Sequence, residues 1–267
     1  MSRANSRYAA MFDRCGEERR GAFGAFLMLG DPTSERCADY LDALVEGGAD
    51  MLELGIPFSD PVADGPVIQA AAKRALDAGV RTADALKLVA GLRRRHTTIP
   101  IGILTYANIV AARGVDAFCE ALATAGADSL LVADVPHLEA RPYAAAAASA
   151  GIDLVMIAAA NTPAAALERV AALTTGYTYC VARAGVTGAP SRSSENHRAL
   201  FERLAALQAP PPVLGFGIAT PAHVRDAVAQ GARGVIVGSA IVDRIANGAA
   251  PAAIAGFVQE LKAATRP

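Results

Sequence analysis

Lysine is nearly missing from this 267-residue chain, which holds only Lys73, Lys87 and Lys262. The first two fall in helical stretches and the third near the C-terminus, so no Lys sits on an apolar strand where an imine-forming aldolase needs its nucleophile. The four histidines, His96, His137, His197 and His223, show no ligand spacing. We expect them on surface helices or loops, which argues against a metal-dependent aldolase. Cys15, Cys37, Cys119 and Cys180 are far apart and form no CxxC pair. That pattern fits reduced thiols better than disulfides or a zinc site. No apolar run reaches the roughly 18 residues of a membrane span, and the N-terminus carries no signal-type apolar core. The expected location is cytoplasmic. A net charge of −1 leaves no basic surface for nucleic acid and no polybasic segment for anionic lipid.

What the chain does have is organised around residues 52–65, Leu-Glu-Leu-Gly-Ile-Pro-Phe-Ser-Asp-Pro-Val-Ala-Asp-Gly. A short apolar strand carries one carboxylate, Glu53, then breaks at Gly55 and Pro57 into a loop with Asp60 and Asp64. Strands of a parallel sheet covered on both faces read as continuous apolar runs, so the Glu needs a reason. Period-two alternation puts Leu52 and Leu54 on one face and Met51 and Glu53 on the other. With the leucines against an outer layer of helices, Glu53 points inward near the carboxyl end of its strand, where barrel enzymes place their chemistry.

A repeating grammar decides the fold class. A helix ends in Gly and an apolar strand begins after Gly48-Ala49-Asp50, Gly126-Ala127-Asp128, Gly151-Ile152-Asp153 and Gly231-Ala232-Arg233, with the glycines at the helix C′ position. Adding strands over 22–29 and near 100–105, 176–181 and 212–216 gives eight, each followed by a helical segment. Alternating strands and helices imply right-handed βαβ units and a parallel sheet, and eight units in 267 residues imply one domain, a closed (β/α)8 TIM barrel. A doubly wound open sheet is the rival, but Leu29-Gly30-Asp31-Pro32 after the first strand is no GxGxxG fingerprint. Extra helices are expected within residues 1–20, where one could plug the barrel bottom, after strand 2, interrupted at Gly79, and after strand 8. Residues 182–196, with Gly185, Gly188, Pro190 and four Ser or Thr, read as a long mobile loop of the kind that serves as a lid.

Gly215-Phe216-Gly217-Ile218 follows strand 7, and Gly238-Ser239-Ala240-Ile241-Val242 follows strand 8 and opens a short helix. Barrels commonly hold a phosphate between those two loops, where backbone amides and a helix dipole bind a dianion without a Lys. The remaining chemistry is carboxylate acid/base work on a phosphorylated substrate.

The stretch from Glu53 to Gly65 resembles the signature of the tryptophan synthase alpha subunit, the indole-3-glycerol-phosphate lyase, and later motifs match in order along nearly the whole chain. The resemblance implies retro-aldol cleavage of indole-3-glycerol phosphate to indole and glyceraldehyde 3-phosphate. In that reading Glu53 handles the protons, Asp64 stays ionised and accepts a hydrogen bond from the indole N–H, and Tyr179 matches the active-site tyrosine. Gly188, Gly217, Gly238 and Ser239 bind the phosphate. Phe26, Leu104, Leu131, Phe216 and Ile236 line the indole pocket. Arg183 and Thr187 belong to the lid, Thr187 hydrogen-bonding the catalytic aspartate. The sequence departs from the pattern at Thr105, where an apolar residue is more familiar, and from Ser191 to Asn196.

The same resemblance implies a partner, a pyridoxal-phosphate beta subunit in an αββα heterotetramer that condenses indole with serine. This chain then needs no cofactor of its own and no metal. Pro57, Phe58, Asp60, Asn108 and Pro136 stand on loops at the docking face. Two further readings are a free-standing lyase that releases indole and a catalytically idle regulatory subunit; a generic phosphosugar isomerase is a distant fourth.

Overall fold

The computed structural model describes residues 6–181 and 197–266. Its strands are β1 (Ala22–Met28), β2 (Met51–Gly55), β3 (Ile101–Thr105), β4 (Ser129–Val132), β5 (Asp153–Leu154), β6 (Ile157–Ala159), β7 (Thr178–Val181), β8 (Pro212–Leu214) and β9 (Gly234–Val237). All pair in parallel in the order β5-β4-β3-β2-β1-β9-β8-β7-β6. The two ends of that order are one stretch of chain. Residues 153–155 bond to β4, with Val155 N–H donating to Leu130 at 2.9 Å, and residues 156–159 bond to β7, with Tyr179 N–H donating to Met156 at 3.0 Å. The expected fifth strand is therefore split at Val155-Met156, and the ring closes through it as a TIM barrel.

The helices follow the strands. After α1 (Arg7–Glu17) and α2 (Ser34–Glu46) come the expected pair α3 (Pro66–Asp77) and α4 (Thr82–Arg95) behind β2. A second pair, α5 (Ala107–Arg113) and α6 (Val115–Ala125), follows β3 and was not expected. It is divided at Gly114, which ends one helix and starts the next at φ 86° and ψ 141°. The remaining helices are α7 (Arg141–Ala150), α8 (Ala164–Leu173), α9 (His197–Ala206), α10 (Pro221–Ala229), α11 (Ser239–Ala246) and α12 (Pro251–Ala263), the last two being the expected pair behind the final strand. The glycines that punctuate the repeat, Gly48, Gly126, Gly151 and Gly231, all take positive φ, the conformation that ends a helix at low cost only in glycine.

Strand alternation divides the core in two. Leu52, Leu54, Ile101, Ile103 and Leu130 point outward and pack with Leu41, Leu44, Val89, Leu92 and Leu122 from the helices. Met51, Phe26, Leu104, Leu131, Tyr177, Tyr179 and Ile236 fill the barrel interior. The N-terminal helix closes the bottom: Tyr8, Met11, Phe12 and Cys15 are buried in that inner cluster, and the Tyr8 hydroxyl pairs with Ser129 Oγ at 2.8 Å. Two charge clusters fasten the same end. Arg20 reaches Asp50 with two bonds of 2.6 and 2.8 Å, and Asp128 takes Arg93 at 2.6 Å and Arg7 at 2.7 Å. No helix among the described residues is long and apolar enough to cross a membrane.

Candidate active site

Glu53 is the third residue of β2, beside Phe26 on β1 and Gly102 on β3. Its side chain points into the barrel, with the residue only 2% exposed. A carboxyl group without water resists ionisation. Burial accordingly pushes the Glu53 pKa up to about 8, against hydrogen bonds from Tyr177 and Tyr179 that favour the charged form and helped by the nearby charge of Asp64. The Tyr177 hydroxyl donates to Glu53 Oε1 at 3.2 Å. At neutral pH Glu53 is an acid with a proton to give.

Asp64 lies on the loop between β2 and α3, pinned by its own N–H to Pro61 at 3.1 Å and by Gln69 Nε2 on its carbonyl at 2.7 Å. Burial raises its pKa to about 6, and a hydrogen bond from Tyr106 opposes the rise. It is therefore mostly ionised at neutral pH. Two carboxyl groups in one site are thus held in different states by their surroundings.

Both face a cavity of about 240 Å³ whose wall includes Phe26, Ile68, Leu104, Tyr179, Phe216 and Ile236, with Gly217, Gly238 and Ser239 at one end. The wall around the acids is mainly apolar and aromatic, and the space suits a small ring. Leu131, also expected in the indole pocket, belongs to the buried inner cluster and is not among the residues lining this cavity. It pairs in register with Leu104, which is on that wall, whereas Val132 at the end of β4 and Ala133 after it line a second, adjoining cavity of about 560 Å³.

The glycine end has the features of an anion site. Phe216 and Gly217 take φ of 70° and 74°, a turn in which the non-glycine residue carries strain of the kind found at functional sites. Gly238 is the N-cap of α11 and offers no side-chain cap, so the first amides of that helix have no partner inside it. No Lys or Arg is on this cavity's wall among the described residues. Gly215 serves a different purpose, since a Cβ there would collide with the ring and hydroxyl of Tyr179, the residue that hydrogen-bonds Glu53.

Two tyrosines at the site were not singled out by the sequence. Tyr177 shares the inward face of its segment with Tyr179, two residues on, and period two could have found it. Tyr106, 2% exposed, follows the carboxyl end of β3 and donates to Asp64 Oδ2 at 2.8 Å; its place just past a barrel strand was the available signal.

The residues expected at a docking face divide. Asp60, Asn108 and Pro136 are exposed and Phe58 is half-buried, but Pro57 is buried and serves the loop's packing. Gly188, Arg183 and Thr187, with the rest of the expected lid, lie outside the described residues. His197 corrects the expectation of a surface position, being 8% exposed at the start of α9 and stacked on Phe201, with centroids 6.1 Å apart. Among the described residues no group of His, Cys, Asp and Glu could hold a metal ion.

The family model "Tryptophan synthase alpha chain" matches residues 12–266. A tryptophan synthase alpha chain from Aeromonas hydrophila is 52% identical over 237 residues, covering 89% of this chain and 88% of its own length. One from Serratia proteamaculans is 47% identical over 265 residues, covering 97% and 99%. Among solved structures, Mycobacterium tuberculosis tryptophan synthase superposes with a TM-score of 0.90 at 34% identity, covering 98% of this chain and 99% of that one. With residues 12–266 matched and 52% identity to a named relative over 89% of the chain, the chain belongs to the tryptophan synthase alpha chain family.

Proposed function

We propose that this chain is the lyase that splits indole-3-glycerol phosphate into indole and glyceraldehyde 3-phosphate. The observation that carries the reading is Glu53, a carboxyl group 2% exposed inside the barrel with its pKa pushed to about 8, on the wall of the same cavity as ionised Asp64 and the glycine end. A protonated acid beside a carboxylate is what this reaction needs, and the apolar wall fits the ring.

The steps follow from the groups. The neutral Glu53 carboxyl delivers its proton to the third carbon of the indole ring, making an indolenine cation. Asp64 accepts the ring N–H and balances the positive charge developing there. The Glu53 carboxylate then takes the proton of the glycerol hydroxyl on the carbon next to the ring. That oxygen becomes the aldehyde oxygen, the bond between the ring and the glycerol carbon breaks, and its electron pair neutralises the indolenine. Glu53 ends protonated as it began. The substrate carries its own electron sink, so neither a metal nor a cofactor has a part in this chain's reaction.

The backbone amides around Gly217 and Gly238 and the hydroxyl of Ser239 bind the phosphate, with Gly188 as a further contributor, and helix α11 directs its positive end at the dianion. Leu104, Phe26, Phe216 and Ile236 enclose the ring. Indole is apolar and would leak through membranes, which favours handing it to a pyridoxal-phosphate beta subunit in an αββα assembly through the face bearing Phe58, Asp60, Asn108 and Pro136. The location that goes with this pathway is cytoplasmic. The test supplies indole-3-glycerol phosphate, and separately a phosphosugar without the ring, to the purified chain with and without a beta subunit. We expect indole and aldehyde in equal amounts from the first substrate only, faster with the partner. Turnover of the ringless compound, or no aldehyde from either, contradicts the reading.

A further inference from the structure

We propose that Tyr106 is the positioning residue for Asp64, and that Phe58, by stacking on its ring, links the placement of that hydroxyl to the loop on the proposed docking face; the inference rests on the reaction proposed above. Tyr106 is the N-cap of α5, the helix the sequence did not announce. Its hydroxyl donates to Asp64 Oδ2 at 2.8 Å and accepts from the Ala63 N–H at 3.3 Å. Both hydrogen-bonding capacities of one buried hydroxyl are thus spent on two consecutive residues of the β2 loop. The Phe58 ring, from the same loop, lies on the Tyr106 ring with centroids 5.2 Å apart and planes at 29°. The next residue, Ala107, donates its N–H to Asp134 Oδ1 at 2.8 Å. Loops following β2, β3 and β4 are therefore joined within two consecutive residues.

This arrangement does more than fill space. An ionised carboxylate can use several hydrogen bonds, and the one from Tyr106 fixes Oδ2, leaving Oδ1 to meet a ring N–H. A donor to the charged form also favours that form, so Tyr106 helps to keep Asp64 ionised in a site whose burial works the other way. Among the described residues, the other ionisable groups facing Asp64 are Glu53 from β2 and Tyr179 from β7, with Asp134 beyond Tyr106. Tyr106 is itself held neutral by burial and by the charge of Asp64, so it remains a donor throughout the working range. A shift of Phe58 on docking would move the Tyr106 ring and, with it, the hydroxyl on Asp64.

The experiment follows the Asp64 side-chain carboxyl by carbon NMR against pH in the full chain, assigned with Asp64→Asn, beside the pH profile of indole release. Tyr106→Phe keeps the ring and its stack but removes the donor. The Asp64 midpoint and the acid limb should both rise by about one pH unit, the size expected for loss of one hydrogen bond to a charged group. Phe58→Ala should raise the midpoint less, Phe58→Tyr should leave it in place, and Tyr106→Phe/Phe58→Ala should move it no further than Tyr106→Phe alone. An unmoved midpoint in Tyr106→Phe overturns the proposal, and an unmoved midpoint in Phe58→Ala, or additive shifts in the double variant, overturns the part assigned to Phe58. If the midpoints shift as stated but no variant and no wild-type chain releases indole, the positioning stands and the reaction assignment falls.

Discussion

The Tyr177 hydroxyl lies 3.2 Å from Glu53 Oε1, at the centre of the barrel and with both side chains buried. That ring also packs on Tyr8 of the N-terminal helix, 5.2 Å between centroids, so the plug at the bottom of the barrel and the acid above it share one contact. Burial raises the Glu53 pKa and the Tyr177 bond opposes that rise, so the pair tempers where in pH the acid gives up its proton.

Indole release should follow a bell-shaped pH profile. The acid limb falls as Asp64 takes up a proton near pH 6, and the basic limb falls as Glu53 loses its proton near pH 8. A profile of kcat/KM from pH 5 to about 9.5 checks this, and a flat profile across pH 8 would remove Glu53 as the acid.

Stability should show the same acid with the opposite cost. Between its ordinary 4.5 and about 8, folded Glu53 holds a proton that the unfolded chain has released. Its contribution is full below about 4.5 and is lost as pH rises through 8. Glu53→Gln cannot ionise, so its Tm relative to wild type should increase between pH 6 and pH 9. Calorimetry at both values tests the sign.

Gly215→Ala should harm activity through Tyr179. The new methyl must displace the ring, at a cost of about 1–3 kcal/mol for overpacking a tight site, and the donor to Glu53 moves with it. Loss of indole release greater than the fall in stability explains, seen at a temperature where the variant is fully folded, is the expected result.

Asp50→Asn should separate folding from chemistry. Asp50 is 3% exposed and bonded to Arg20, Arg14 and Lys262, and it also accepts from the Phe23 N–H at 2.9 Å. Removing one partner of such a buried pair costs about 3–5 kcal/mol. Denaturant unfolding should show a loss of that order, with KM for the substrate unchanged in the folded fraction.

Thr105→Val should cost nothing or stabilise slightly. The Thr105 hydroxyl is fully buried and has no hydrogen-bond partner among the described residues, and an unsatisfied buried polar group is itself a penalty. A clear destabilisation, measured by thermal melting, would mean the hydroxyl is bonded after all.

Much of the barrel was legible because it rests on local rules. The helix-ending glycines at 48, 126, 151 and 231 and the alternation around Glu53 each depend on a few neighbouring residues. The split of the fifth strand was not legible, since Val155 and Met156 fit a strand; what breaks it is closure of the ring, a property of the whole barrel. The α5–α6 division at Gly114 lay inside a helical stretch where one glycine is ordinarily tolerated. In the candidate site, Glu53, Asp64 and the glycine pair, singled out from type and place, line one cavity. Tyr106 escaped because its partner is 42 residues away, and no local pattern records such a bond.

The most direct test compares indole release from indole-3-glycerol phosphate by the wild-type chain and by Glu53→Gln, each checked for native fold and supplied with a beta subunit. Wild type should form indole, and the variant should lose a factor on the order of 10²–10⁴ or more, the range for a general acid/base group, with substrate binding retained. Comparable release by the two proteins would contradict that role for Glu53.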